Sequence, residues 1–126
     1  MSKEPFILYI DDERPALELI GHALKLAGYE LTGTTSSEQG LAMMRERKPD
    51  VLLLDLMMPR ISGWEVYQAM KTDEALADIP VIVITARVPA QNRVIIEGLP
   101  PVDDYITKPF DVKRLIRSVQ KFLPAE

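Results

Sequence analysis

Among its 126 residues the sequence has no cysteine and only one histidine. Without thiols there is neither a disulfide framework nor a thiolate zinc site, and His22 alone does not make a histidine metal cluster. Long apolar runs are missing as well. None approaches the roughly 20 residues that span a bilayer, and no secretory signal precedes Pro5. Positive charge is not in excess: 15 Lys and Arg stand against 19 Asp and Glu, for a net charge of -4, so there is no electrostatic footprint for nucleic acid. Linkers, repeats and low-complexity stretches are absent too. What is there is ordinary globular composition, 47% hydrophobic and 27% charged, which argues against disorder. These features predict one domain over residues 1–126, with a core over about 5–123 and no second domain. Such a chain buries roughly two-thirds of its unfolded surface. The expected location is the cytoplasm, with no membrane and no direct nucleic-acid partner.

Strand-like apolar runs alternate with helix-like segments, the pattern of a parallel sheet covered on both faces. Leu17, Ile20, Ala23, Leu24 and Ala27 recur at helical spacing, and Gly28 follows as a stop. Tyr29 to Thr34 reads as a weaker strand. Ser36 with Gln39, and later Ser62 with Glu65, form capping-box signatures that open two more helices. The second of these runs through about Lys71 and buries Val66 and Met70. Pro89 opens a short helix that Gly98 ends, and Pro100-Pro101 forbids its continuation. Asp111 caps a last helix whose apolar stripe is Val112, Leu115, Ile116, Val119, Phe122 and Leu123. Five strands and five helices in alternation predict a doubly wound (βα)5, flavodoxin-like three-layer α/β fold; right-handed crossovers leave a few strand orders, of which 2-1-3-4-5 is the expected one.

Polar residues sit at the end of four of the apolar runs. Phe6 to Ile10 ends in Asp11-Asp12, and Val51 to Leu54 ends in Asp55. Val81 to Ile84 ends in Thr85, and Tyr105 to Thr107 ends in Lys108-Pro109. In parallel strands these side chains emerge at one sheet edge, where open α/β sheets bind ligands. The order 2-1-3-4-5 sets strands one and three side by side, which brings Asp11 and Asp12 next to Asp55. A like-charge pair about 4 Å apart costs about 4 kcal/mol at an effective dielectric of about 20. A hard divalent cation relieves that repulsion, and oxygen-only donors point to Mg²⁺, with Mn²⁺ as a substitute, rather than zinc. Lys108 and Thr85 supply an ammonium and a hydroxyl for phosphoryl oxygens, and a central aspartate can accept a phosphoryl group as an acyl phosphate. Asp55 is the best placed for that role. Singly, each residue has a plainer reading: Asp12 as a helix cap, Asp55 as a strand-end residue, Thr85 as a packed β-branched residue, Lys108 as a turn lysine. It is their convergence that favours chemistry.

These residues resemble the receiver domain of two-component response regulators. The resemblance rests on Asp11-Asp12, the segment Asp55-Leu56-Met57-Met58-Pro59-Arg60-Ile61-Ser62-Gly63, the pair Thr85-Ala86, and Thr107-Lys108-Pro109-Phe110. They occur in family order and cover essentially the whole chain. The resemblance implies a sensor histidine kinase or a phosphotransfer protein as donor and Asp55 as acceptor. It implies Mg²⁺ at Asp12, Asp55 and the backbone carbonyl of Met57, with Asp11 acting through water. Phosphoryl oxygens would meet Thr85, Ala86 and Lys108, Tyr105 would be the aromatic that moves on activation, and Pro109 stands at the family's cis-proline position. It further implies a population shift that controls a downstream protein target, in a monomer or weak dimer with no enzymatic action on a foreign substrate. Two departures stand out. Gly98-Leu99-Pro100-Pro101-Val102 replaces a shorter family segment, which unsettles the dimer mode built on the helix before it. Met57 and Arg87 flank the attack path on the acyl phosphate and would slow its hydrolysis.

Two other functions fit parts of the pattern. A phosphohydrolase of the haloacid-dehalogenase type also forms an aspartyl phosphate, but it needs a second acid where Met57 stands. A receiver-like scaffold that is never phosphorylated would not need Asp55, Thr85 and Lys108 together. Asp103-Asp104 reads as a cap on the turn into the last strand, Trp64 as a packing or surface residue, and His22 as solvated.

Overall fold

A computed structural model of the chain describes residues 5–56, 63–85, 102–108 and 111–123. The strands are β1 (Phe6–Ile10), β2 (Glu30–Thr34), β3 (Val51–Leu54), β4 (Val81–Thr85) and β5 (Asp104–Thr107). The helices are α1 (Arg14–Leu26), α2 (Ser37–Glu46), α3 (Gly63–Lys71) and α4 (Val112–Phe122). All strand pairs are parallel, in the order β2-β1-β3-β4-β5. The helix expected between Pro89 and Gly98 lies outside the described residues.

The period-2 alternation of the strands divides the core in two. Leu8, Ile10, Leu52, Leu54, Val81 and Val83 pack with Met44 of α2 and Val66, Tyr67 and Met70 of α3. Ile7, Tyr9, Val51, Leu53, Ile82, Ile84 and Ile106 pack with Ile20 and Leu24 of α1 and Leu115 and Val119 of α4. Every residue of β3 is buried, as a central parallel strand with helices on both faces requires. The expected stripe on α4 is buried at Leu115, Val119 and Leu123, while Val112 is exposed.

Helix ends refine the sequence expectations. The Asp111 side chain accepts from Lys113 N–H at 2.9 Å, so it caps α4 as expected. Ser36 accepts from Gln39 N–H at 3.1 Å, but the return half of the capping box is relayed. The Ser36 N–H donates to Thr34 Oγ1 at 3.1 Å, and that hydroxyl is 3.0 Å from Gln39 Oε1. The residue at the start of α1 is Glu13 rather than Asp12, and it provides no side-chain cap. Asp11 Oδ1 instead accepts the Glu13 N–H at 2.9 Å. Gly28, with φ of 93°, takes the left-handed conformation that stops α1.

Candidate functional site

The site stands at the carboxyl edge of β1, β3 and β5. Hydrogen bonding runs past the strand ends and fixes it there. Asp11 N–H donates to Thr34 O at 3.2 Å and Asp55 N–H to Ile10 O at 3.0 Å, so each aspartate backbone is tied to the neighbouring strand. Asp11 continues the positions of Ile7 and Tyr9, and Asp55 those of Val51 and Leu53, all in the core half shared with α1 and α4. Asp11 is fully buried and Asp55 is 3% exposed, whereas Asp12 lies in the open. One carboxylate oxygen from each of the three lies within 4.8 Å of the others. The separation of Asp11 and Asp55 in sequence is closed by the β1–β3 pairing, Ile10 opposite Leu54.

Lys108 reaches into this cluster from the end of β5. Its Nζ is 2.8 Å from Asp11 Oδ2, 2.7 Å from Glu13 Oε1 and 3.5 Å from Asp55 Oδ2. Burial works against the ammonium, but the hydrogen bonds to Asp11 and Glu13 and the nearby charge of Asp55 outweigh it, and Lys108 is held well above the ordinary lysine range. The Tyr9 hydroxyl donates to Asp11 Oδ2. Burial first, then that bond and the surrounding carboxylates, push the Tyr9 phenol far up, so it is a fixed donor. Among the described residues, four carboxylates thus face one ammonium at this edge. The donors are hard oxygens, and the excess negative charge is what a divalent cation of the Mg²⁺ class offsets.

Sequence reasoning found Asp11, Asp12, Asp55 and Lys108 but missed Tyr9 and Glu13. Asp11 is bonded directly to Lys108 and Tyr9. A faint signal existed for Tyr9: it lies two residues before Asp11 in a strand, so both side chains share a face. Glu13 carries no such signal. Thr85 ends β4 opposite Thr107, and Val83, two residues earlier, pairs with Tyr105, which is partly buried against the core. Met57, Ala86, Arg87 and Pro109, and the unusual segment from Gly98 to Pro101, lie outside the described residues.

Asp103 and Asp104 do more than cap a turn. Asp103 Oδ2 accepts the Val81 N–H at 2.8 Å and so bridges to the start of β4. Asp104 Oδ2 accepts from Ser118 Oγ at 2.5 Å, and its carboxylate is also gripped by Arg114 and Lys121 of α4. Burial raises the Asp104 carboxyl, but the Ser118 and Arg114 contacts prevail and hold it below the usual carboxylate range. Trp64 packs partly against the core and His22 is exposed, as read from sequence.

A family model for the response regulator receiver domain matches residues 7–120. The phosphate regulon transcriptional regulatory protein PhoB of Pseudomonas aeruginosa is 43% identical over 118 residues, which is 93% of this chain and 51% of PhoB. The DNA-binding dual master transcriptional regulator RpaA of Synechocystis is 38% identical over 94% of this chain and 49% of its own length. This chain therefore spans about half the length of those relatives. The polar-differentiation response regulator DivK of Brucella abortus is 33% identical over 93% of this chain and 94% of DivK. Among solved structures, the receiver domain of the Francisella response regulator 1452 superposes with a TM-score of 0.83 at 28% identity, over 94% of this chain and 96% of that one. The chemotaxis protein CheY4 of Vibrio cholerae shares the fold, with a TM-score of 0.82 at 22% identity over 96% of this chain and all of that one.

Proposed function

The chain belongs to the response regulator receiver domain family, which makes it a phosphorylation-dependent signalling switch, and from that premise we propose that Asp55 is its phosphoryl acceptor. The carrying observation is the setting of Asp55: a buried carboxylate beside Asp11 and Asp12 and 3.5 Å from the Lys108 ammonium.

In the proposed step an Asp55 carboxylate oxygen forms a bond to phosphorus as the donor's bond to phosphorus breaks. The leaving atom, an imidazole nitrogen of a histidine kinase or phosphotransfer protein, keeps the electron pair. Asp11, Asp12, Asp55 and the Met57 carbonyl would hold Mg²⁺, which offsets charge on the phosphoryl oxygens when bound, and Mn²⁺ suits the same donors. Lys108 supplies the mobile positive charge and binds a phosphoryl oxygen, as do the Thr85 hydroxyl and the Ala86 backbone. Thr85 then draws toward the phosphoryl group and Tyr105 follows. Moving such a two-state equilibrium from 1:99 to 99:1 takes about 5.5 kcal/mol, the scale of a few charge-assisted hydrogen bonds. The Tyr105 surface so altered controls a downstream protein. Pro109, in the cis form, would set Lys108 at its turn.

On this reading the chain is a single receiver domain acting in the cytoplasm as a monomer or weak dimer. Among its described residues no helix is long and apolar enough to cross a membrane. Its chemistry is confined to its own phosphorylation and slow autodephosphorylation, which Met57 and Arg87 retard. The test is intact-mass spectrometry after incubation with acetyl phosphate and Mg²⁺. A single magnesium-dependent phosphoryl adduct, lost in Asp55→Asn, is expected. A folded, Mg²⁺-binding protein without the adduct would leave the unphosphorylated scaffold as the better account.

A further inference from the structure

Glu13 belongs to no motif that pointed to the site, yet it makes the shortest contact to Lys108, 2.7 Å. The three Lys108 anions differ in what it costs to release them. Asp11 is fully buried, so freeing it from the ammonium strands a charge away from water. Asp55, at 3.5 Å, is too far for a good hydrogen bond. Glu13 is 62% exposed, and water takes back its carboxylate at little cost.

We propose that Glu13 is a positioning residue that holds Lys108 in the unphosphorylated protein and is displaced from it by the incoming phosphoryl group. The proposal rests on the reading of Asp55 and Lys108 above. Lysine has three donors, and the exposed partner is the one exchanged when a phosphoryl oxygen claims the ammonium. As Lys108 turns toward the new oxygen, the exposed Glu13 contact is the one it gives up at least cost, so that contact opposes the phosphotransfer. Glu13 in this role touches no reacting atom and acts through Lys108 alone.

The test is the rate of Asp55 phosphorylation by acetyl phosphate at fixed Mg²⁺, read by intact mass in the wild type, Glu13→Gln and Glu13→Asp. Glu13→Gln removes the ion pair. Glu13→Asp keeps the charge but withdraws it by one methylene from Lys108. Both variants should react about two- to fivefold faster than the wild type, the range that an exposed ion pair commands. Merely structural damage slows the reaction and does not produce a gain. Acceleration in Glu13→Gln alone would make Glu13 a source of repulsive field and overturn the exchange. Unchanged or slower rates in both would overturn it too, the slower case making Glu13 an aid to Lys108. Should the wild type take no adduct, the Asp55 reading falls and the exchange with it, whereas a reactive wild type with indifferent variants sinks the exchange alone.

Discussion

Gly63 opens α3 directly beneath the end of β3, and a methyl group there has no room. A Cβ would lie 2.2 Å from the Asp55 carbonyl oxygen and 2.6 Å from the Leu56 Cα, both backbone atoms with no rotamer to change. The Gly63 N–H also donates to Leu56 O at 3.2 Å, which closes the connection between strand and helix. The glycine is thus a spacing device that seats α3 against Asp55. Gly40 is a useful contrast. A Cβ there meets Ile10 Cδ1 at 2.3 Å and Cγ1 at 2.8 Å, side-chain atoms that can turn away, and alanine restores about 1 kcal/mol of helix propensity. Gly63→Ala should therefore lose about 2–3 kcal/mol in urea denaturation and slow the proposed Asp55 phosphorylation, since the backbone at Asp55 must shift. Gly40→Ala should lose about 1 kcal/mol or less and phosphorylate normally. Equal losses in the two would mean that the backbone at Asp55 yields as easily as the Ile10 side chain.

Between β5 and α4 the binding is polar as well as apolar. Arg114 reaches both Asp104 and the Tyr105 carbonyl, at 3.2 and 3.3 Å, while Ser118 is fully buried against the same carboxylate. The strand that carries Tyr105 and Lys108 is in this way clamped to the last helix. Asp104→Asn keeps the shape and removes the charge, and should cost about 1 kcal/mol at neutral pH. The folded-state acidity of Asp104 is depressed, so its stabilisation is present above the unfolded carboxylate range and is lost as pH falls through the lower folded value. Urea melts of wild type and variant should accordingly converge in acid, below about pH 4. A gap that persists there would assign the loss to packing.

The clamp also marks how much the sequence conveys. The strands are legible because β1, β3 and β4 are continuous apolar runs, and right-handed crossovers leave only a few strand orders, of which 2-1-3-4-5 gathers Asp11, Asp12, Asp55 and Lys108 at one edge. Asp104 was not, because its partners lie on a helix whose polar face carries no signal of what it meets. Glu13 and Lys108 are 95 positions apart, and pairing them needs the packed sheet. The capping signature Ser36–Gln39 does not show the relay, because Thr34, the relaying hydroxyl, belongs to a strand outside the motif. Local rules find elements, while contacts between elements depend on side-chain direction.

Across the whole molecule, a net charge of -4 is mild, yet its effect is concentrated where Asp11 and Asp55 are almost wholly buried at one edge. Their repulsion opposes folding, and Lys108 offsets only part of it. A cation that binds the folded state alone adds stability by mass action, about 2.7 kcal/mol at about 100 times its dissociation constant. Mg²⁺ should raise the wild-type melting temperature for that reason. Asp55→Asn removes one of the opposed charges at the cost of the long contact to Lys108, so the metal-free variant should melt higher than the metal-free wild type. It should also gain less from Mg²⁺, because one donor has lost its charge. Calorimetry of both proteins with and without Mg²⁺ measures all four states. A variant that melts lower without metal would mean that the Asp55–Lys108 attraction outweighs the repulsion from Asp11. With the expected order, the Asp55 carboxylate is a charge that the fold holds against its own stability, which leaves the edge ready to bind a cation.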